Sequence, residues 1–209
     1  MNSITGVIPA SISFCTRLQV IRLRYNSIEG EIPQTLANLQ FLQEIILSNN
    51  KLGGSIPSGI GLLPRLQFLF LPSNNLYGSI PEFLGSSSAL SMVVVRNNSL
   101  TGGIPPMLAN CSTLYYLDLM SNKLTGNIPS TLFNSTSLLH IDLGANNLET
   151  VDWSSLSSTT SSNMLQMIYL DNNNLQGSVP NSIGNLSSNL QQLFLTENNF
   201  SNRFVTSKP

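Results

Sequence analysis

The sequence predicts a single right-handed solenoid whose short parallel strands stack into a concave sheet. Three observations predict it. An asparagine recurs every 24 residues at Asn26, Asn50, Asn74, Asn98, Asn122 and Asn146, preceded in phase by Asn2 and followed by Asn173 and Asn198 at gaps of 27 and 25. Ahead of each lies the apolar pattern L-x-x-L-x-L, as in LQVIRLRYN (18–26) and LQFLFLPSN (66–74). Behind it a glycine and a proline return at fixed phase, giving SIEGEIP (27–33), KLGGSIP (51–57) and NLYGSIP (75–81). Periods of 20 to 50 residues mark units that cannot bury an apolar face alone and stack on their neighbours instead.

The pattern L-x-x-L-x-L-x-x-N with a period of 20 to 29 is the leucine-rich repeat. Each element of the turn follows from it. Alternation at the third to fifth positions is a short period-2 strand: Leu66, Leu69 and Leu71 point inward, and Phe68 and Phe70 point to the other, concave face. The ladder asparagine sits where the chain turns back. Its carboxamide both donates and accepts, so a column of them can satisfy backbone groups that cannot reach water. Gly30, Gly54, Gly78, Gly102, Gly126 and Gly177 permit backbone angles closed to other residues. The proline that follows has a fixed φ and no N–H to offer a ladder. A second short strand before each proline and a helical or 3-10 stretch after it, as in QTLANL, STLFNS and NSIGNL, complete the turn. The chain therefore reads as one domain, 1–209, of about eight to nine turns. It has a partial first repeat over 1–17, an irregular repeat over 138–164 and a degenerate end over 201–209. In the irregular repeat, NNLETVDWSSLSSTTSSNML (146–165) lacks G-x-I-P and carries three extra residues. Such a loop can be functional; the composition favours a tolerated insertion with Trp153 packed on the flank.

Composition narrows the function. Charged residues make up 9% of the chain and the formal net charge is −1, so no basic stripe awaits a phosphate backbone. No apolar run reaches the ~18 residues of a spanning helix. The N-terminus lacks the charged and apolar regions of a signal peptide. Both ends break the repeat without polar caps, which reads as the middle of a longer protein or a truncated gene product. Cys15 and Cys111 are 96 residues apart in one column, four strands or roughly 19 Å from each other, so no disulfide is expected and both thiols should be buried and inert. With one His and no Cys cluster, neither a metal nor a cofactor is expected.

Phase also indexes the concave face. The column between the last two leucines reads Arg22, Ile46, Phe70, Val94, Asp118, Asp142, Tyr169 and Phe194. The column before it reads Val20, Glu44, Phe68, Met92, Tyr116, His140, Met167 and Gln192. The column after it reads Arg24, Ser48, Pro72, Arg96, Met120, Gly144, Asp171 and Thr196. All are expected to face solvent. Exposed apolar patches mark interaction sites, and aromatics with arginine dominate binding hot spots. Phe68, Phe70, Met92, Val94, Arg96, Tyr116 and Met120 are thus the expected contact core, with His140 and Tyr169 beside it and Asp118, Asp142 and Asp171 as an acidic end. The β-propensity of these residue types could fill the strands equally well. Asp118 and Asp142 also fall at a spacing that suits retaining glycosidases. An open sheet shields no carboxylate, however, and no placed nucleophile accompanies them, so no catalytic residue is expected. Five sequons, at Asn97, Asn110, Asn134, Asn185 and Asn199, are glycosylation candidates in a secreted chain.

The L-x-G-x-I-P form resembles the plant-specific leucine-rich repeat over nearly the whole chain. More narrowly, NNLETVDWSSLSS (146–158) and LDNNNLQGSVPNSIGNLSSNLQQLFL (170–195) resemble ectodomains of plant receptor-like Ser/Thr kinases of subfamily XII, the type of the flagellin, elongation-factor and rice blight-resistance receptors. That resemblance implies a protein- or peptide-recognition module at the extracellular face of the plasma membrane, in immune or developmental signalling. The implied partners are a peptide or protein ligand and a co-receptor leucine-rich-repeat kinase. None of the kinase motifs G-x-G-x-x-G, H-R-D or D-F-G is present, nor are the paired-cysteine cap and the membrane helix of those relatives. The alternatives are a secreted repeat protein that inhibits a cell-wall-degrading enzyme and a non-signalling fragment of a truncated receptor gene.

Overall fold

Eight three-residue strands, one from each L-x-x-L-x-L segment, form the concave wall: β1 (Val20–Arg22), β2 (Glu44–Ile46), β3 (Phe68–Phe70), β4 (Met92–Val94), β5 (Tyr116–Asp118), β6 (His140–Asp142), β7 (Met167–Tyr169) and β8 (Gln192–Phe194). They pair in chain order as a single parallel sheet. Register follows the repeat: Ile21 faces Ile45, which faces Leu69, which faces Val93. The computed structural model describes residues 3–86, 89–153 and 164–201. Asn2, the Ser/Thr-rich stretch 154–163 and the end beyond Ser201 lie outside them.

Inward-facing leucines, isoleucines and valines stack in columns between this sheet and the outer wall, and Leu66, Leu69 and Leu71 are buried as their phase requires. The equivalent Leu18, Leu23, Leu190, Leu193 and Leu195 of the outermost described repeats are only partly buried, because among the described residues each has a covering repeat on one side alone. The outer strands form at the L-x-G phase, including the four-stranded sheet of Tyr77–Ser79, Ser99–Gly102, Lys123–Ile128 and Asn147–Val151. After each proline the chain makes a 3-10 turn such as Gln34–Asn38, or one α-helical turn at Ser130–Phe133.

The asparagine ladder behaves as its chemistry predicts. Asn50 Nδ2 donates to Leu47 O in its own repeat (3.0 Å) and to Leu23 O in the preceding one (3.0 Å), while its Oδ1 accepts the Ile28 N–H (3.1 Å). Asn74, Asn98, Asn122 and Asn146 repeat this set. The residue before each ladder asparagine holds a left-handed backbone: Tyr25, Asn49, Ser73, Asn97, Ser121, Ala145, Asn172 and Glu197 all have φ between 52° and 57°.

The irregular repeat keeps both the ladder and the core. Asn173 Nδ2 still donates to Leu143 O (3.0 Å) across the longer gap. By phase Asp152 would occupy the inward isoleucine position. A β-bulge between the Lys123–Ile128 and Asn147–Val151 strands instead pairs Ile128 with Val151, which is buried, and leaves Asp152 exposed. Trp153 stacks on Phe133 with ring centroids 5.8 Å apart, so it is a flank-packing residue. The cysteine expectation needs one correction. Neither cysteine is in a disulfide among the described residues, and Cys111 is buried with its Sγ donating to Leu90 O at 3.2 Å, but Cys15 is exposed, in the first repeat where no earlier described turn covers it.

Candidate functional site

The concave face carries its side chains in three columns because consecutive strands keep a constant register. Met92 lies between Phe68 and Tyr116, and Val94 between Phe70 and Asp118. From β1 to β5 these columns enclose a groove of about 460 Å³. Its lining joins the apolar Ile46, Phe70, Pro72, Met92 and Val94 to Tyr25, Tyr116 and Asn49 and to the two arginines Arg24 and Arg96. Phe68 and Met120 flank it in the same columns; the Phe68 and Phe70 rings are tilted, with centroids 6.4 Å apart.

Not all of the concave positions face solvent. Val94 is 6% exposed and Asp118 only 1%, while Phe68, Phe70, Met92 and Tyr116 are half-buried. Long side chains on one strand lean over short ones on the next. Asp118 lies under Arg96, whose Nη1 approaches its Oδ2 at 3.5 Å, and its Oδ1 accepts the Met120 N–H at 3.2 Å. It therefore does not act as a free member of the acidic end. Tyr25 and Asn49 line the groove although neither belongs to a strand column; the sign that could have found them is their place directly before a ladder asparagine.

Beyond the groove, β5 to β8 present a row of rings. Tyr116 and His140 stack in parallel with centroids 4.2 Å apart, His140 meets Tyr169 at 5.3 Å, and Tyr169 stacks on Phe194 at 4.8 Å. His140 Nε2 is buried and unpartnered, and burial holds its pKa below the usual histidine value. Asp142 and Asp171 stand beside this row with no cation paired to either among the described residues. Burial pushes the Asp142 carboxyl up to about 6, against the pull of the Gly144 N–H, which donates to its Oδ1 at 3.0 Å; Asp118 and Asp171 add to the rise. Burial likewise raises the Asp118 carboxyl and, with the Asp118 charge, the Tyr116 hydroxyl. Asp142 and Asp171 close over the buried Gly144: a Cβ on it would sit 3.3 Å from Asp142 Oδ1 and 3.4 Å from both the backbone O and the Oδ1 of Asp171.

The five sequon asparagines Asn97, Asn110, Asn134, Asn185 and Asn199 are all exposed. Among the described residues no three His, Cys, Asp or Glu side chains converge as a metal site, and no helix is long and apolar enough to cross a membrane.

The leucine rich repeat family model matches residues 16–76 and 112–175, more than half of the chain. Among solved structures, 95% of the chain superposes on 31% of the plant peptide hormone receptor RGFR1, solved in complex with RGF2, at TM-score 0.88 and 38% identity. The same share matches 33% of the Arabidopsis receptor kinase HAESA, solved with the peptide hormone IDA and the co-receptor SERK1, at TM-score 0.84 and 30% identity. A plant ice-binding protein matches over 94% of the chain and 62% of its own length, at TM-score 0.83 and 29% identity. The chain thus spans about a third of the length of the two receptors. No curated protein sequence matches it significantly.

Proposed function

Because the chain belongs to the leucine-rich repeat family, we propose that it is a peptide-recognition module, part of the extracellular ligand-binding domain of a plant receptor-like kinase in immune or developmental signalling. The resemblance of residues 146–158 and 170–195 favours subfamily XII within that class. The observation that carries the reading is the concave groove, whose lining combines the apolar Ile46, Phe70 and Val94 with Arg24, Arg96, Tyr25 and Tyr116. Such a surface suits a ligand with an extended backbone and alternating side chains, and the receptor relatives were solved with peptide hormones. The ice-binding relative means that the fold does not select the function by itself. An ordered lattice calls for one side chain repeated along a flat column, whereas the central column here runs Arg22, Ile46, Phe70, Val94, Asp118, Asp142.

In this reading Phe68, Phe70, Met92, Val94, Arg96, Tyr116 and Met120 hold the ligand, His140 and Tyr169 extend the contact, and Asp118 positions Arg96. A co-receptor kinase is the second partner. Glycans sit at the exposed sequons, of which Asn97 is nearest the groove rim. The test is selection of displayed random dodecapeptides on the immobilised chain. Selected peptides should bind the Phe70→Ser/Tyr116→Ser double variant at least tenfold more weakly. Failure to select any peptide, or equal binding to a double variant that keeps its circular dichroism spectrum, overturns the reading.

A further inference from the structure

The charges on the concave face are unevenly matched. Arg22 is taken by Glu44 and Arg96 by Asp118. Arg24, lining the groove at β1, makes no ion pair among the described residues; its guanidinium lies 5.9 Å from the Tyr25 ring centroid. At the other end neither Asp142 nor Asp171 is in an ion pair among the described residues, and their Oδ1 atoms come together over the buried Gly144. A half-buried carboxylate facing a like charge is costly unless a cation joins it. Both Oδ1 atoms lie within 3.4 Å of one point, close enough together for a single cationic group above them to bond to both. The neighbouring rings do not offer an alternative ligand class: Tyr116, His140, Tyr169 and Phe194 pack largely face to face, so the faces on which a sugar would stack are mostly spent on one another.

We propose that the ligand of this groove is an extended peptide that places an acidic side chain at Arg24, an apolar side chain on Phe70 and Val94, and a lysine or arginine over Gly144 between Asp142 and Asp171. This rests on the peptide-recognition reading above and adds charge order and spacing to it. Arg24 and the Asp142–Asp171 pair are five to six strands apart, roughly 24–29 Å at ~4.8 Å per strand. An extended chain covers that distance in about seven to nine residues. The order is fixed by like-charge repulsion at each end, so a peptide with its charges adjacent cannot satisfy both.

The selected dodecapeptide pool supplies the test. Peptides that bind the wild-type chain should carry an acidic and a basic residue seven to nine positions apart with an apolar residue between. Selection on Arg24→Glu should replace the acidic residue by a basic one, and selection on Asp171→Lys should replace the basic residue by an acidic one. Wild-type peptides should lose at least tenfold in affinity for either variant, and 0.5 M NaCl should shrink that difference. A pool that depends on Phe70 and Tyr116 but shows no charge spacing, or that Arg24→Glu and Asp171→Lys leave unchanged, overturns this proposal and leaves peptide recognition standing. A pool indifferent to Phe70 and Tyr116 overturns the functional reading itself.

Discussion

One carboxamide per repeat is the residue that most nearly determines this molecule. Asn122 donates to Val95 O (3.2 Å) and Leu119 O (3.0 Å) and accepts the Leu100 N–H (3.0 Å), all in buried surroundings. Asn122→Ala leaves those backbone groups without their partner, at ~1–3 kcal/mol for each one that water cannot reach. Urea denaturation should show a loss on the order of 2–4 kcal/mol. Asn122→Asp should lose more at neutral pH, since it replaces two donors by a buried charge facing carbonyl oxygens. The preceding residue makes the opposite kind of prediction. Ala145 sits at φ 52°, where a Cβ is strained by ~1–2 kcal/mol and asparagine is tolerated best among residues with a side chain. Ala145→Asn should therefore raise stability by about 0.5–1 kcal/mol in the same measurement. The ladder was legible in the sequence because its chemistry requires one residue type. The left-handed position was not, because Tyr, Asn, Ser, Ala and Glu all fill it, and the conformation is imposed by the turn that the ladder closes.

Between elements, close approach and shared charge decide what each repeat tolerates. The 3-10 turns Ser58–Leu62, Glu82–Ser86 and Pro106–Asn110 stack so tightly that a Cβ on Gly85 would meet Met107 O at 2.0 Å and one on Gly61 the Phe83 carbonyl carbon at 2.4 Å. Gly85→Ala should cost about 1–3 kcal/mol through forced separation of those turns. Gly184→Ala, in a turn of the same phase with nothing among the described residues within 4 Å, should be close to neutral. On the concave side the Asp142 carboxyl titrates near 6 instead of 3.8. The folded chain thus holds a proton there that the unfolded chain releases, and this group's contribution to stability falls as pH rises through that window. His140 works the other way, because acid must charge a buried imidazole whose pKa is lowered. Asp118, Asp171, Arg96, Tyr116 and Tyr169 face the same cluster. In a His140→Gln background, unfolding free energy followed from pH 4 to 6.5 should fall, and adding Asp142→Asn should flatten that fall. Phase arithmetic located every one of these side chains. It could not give their burial, since Asp118 is hidden by the length of Arg96 in the preceding repeat, a fact of neighbours and not of position. Nor could it give the bulge at Glu149, where burying Val151 in place of Asp152 outweighed keeping the 24-residue register.

At the scale of the molecule, each repeat is covered only by the one before and the one after, so stability is a chain of nearest-neighbour interfaces. That makes the fold legible from a single period, and it makes the consequence of a core deletion depend on where it falls. Leu117 is fully buried on the central strand β5, between Val93 and Ile141. Leu193 holds the same phase on β8 but is only partly buried, with Ile168 as its strand neighbour on one side. Leu117→Ala should cost about 2–5 kcal/mol for the lost transfer energy and the cavity left behind, and because both flanking interfaces run through it the loss should register across the whole solenoid. Leu193→Ala should cost less, and the damage should stay local: opening the last repeat exposes little that the Met167 to Tyr169 strand does not already cover. Amide hydrogen exchange separates the two outcomes. In the Leu193→Ala variant, protection should fall for amides such as Leu170 and Gln191 and remain at the wild-type level for Ile45 and Leu69. In the Leu117→Ala variant the slow-exchanging amides of β2 to β6 should lose protection together. Equal, chain-wide loss in both variants would mean that the repeats unfold as one cooperative block, and the nearest-neighbour account would have to be given up.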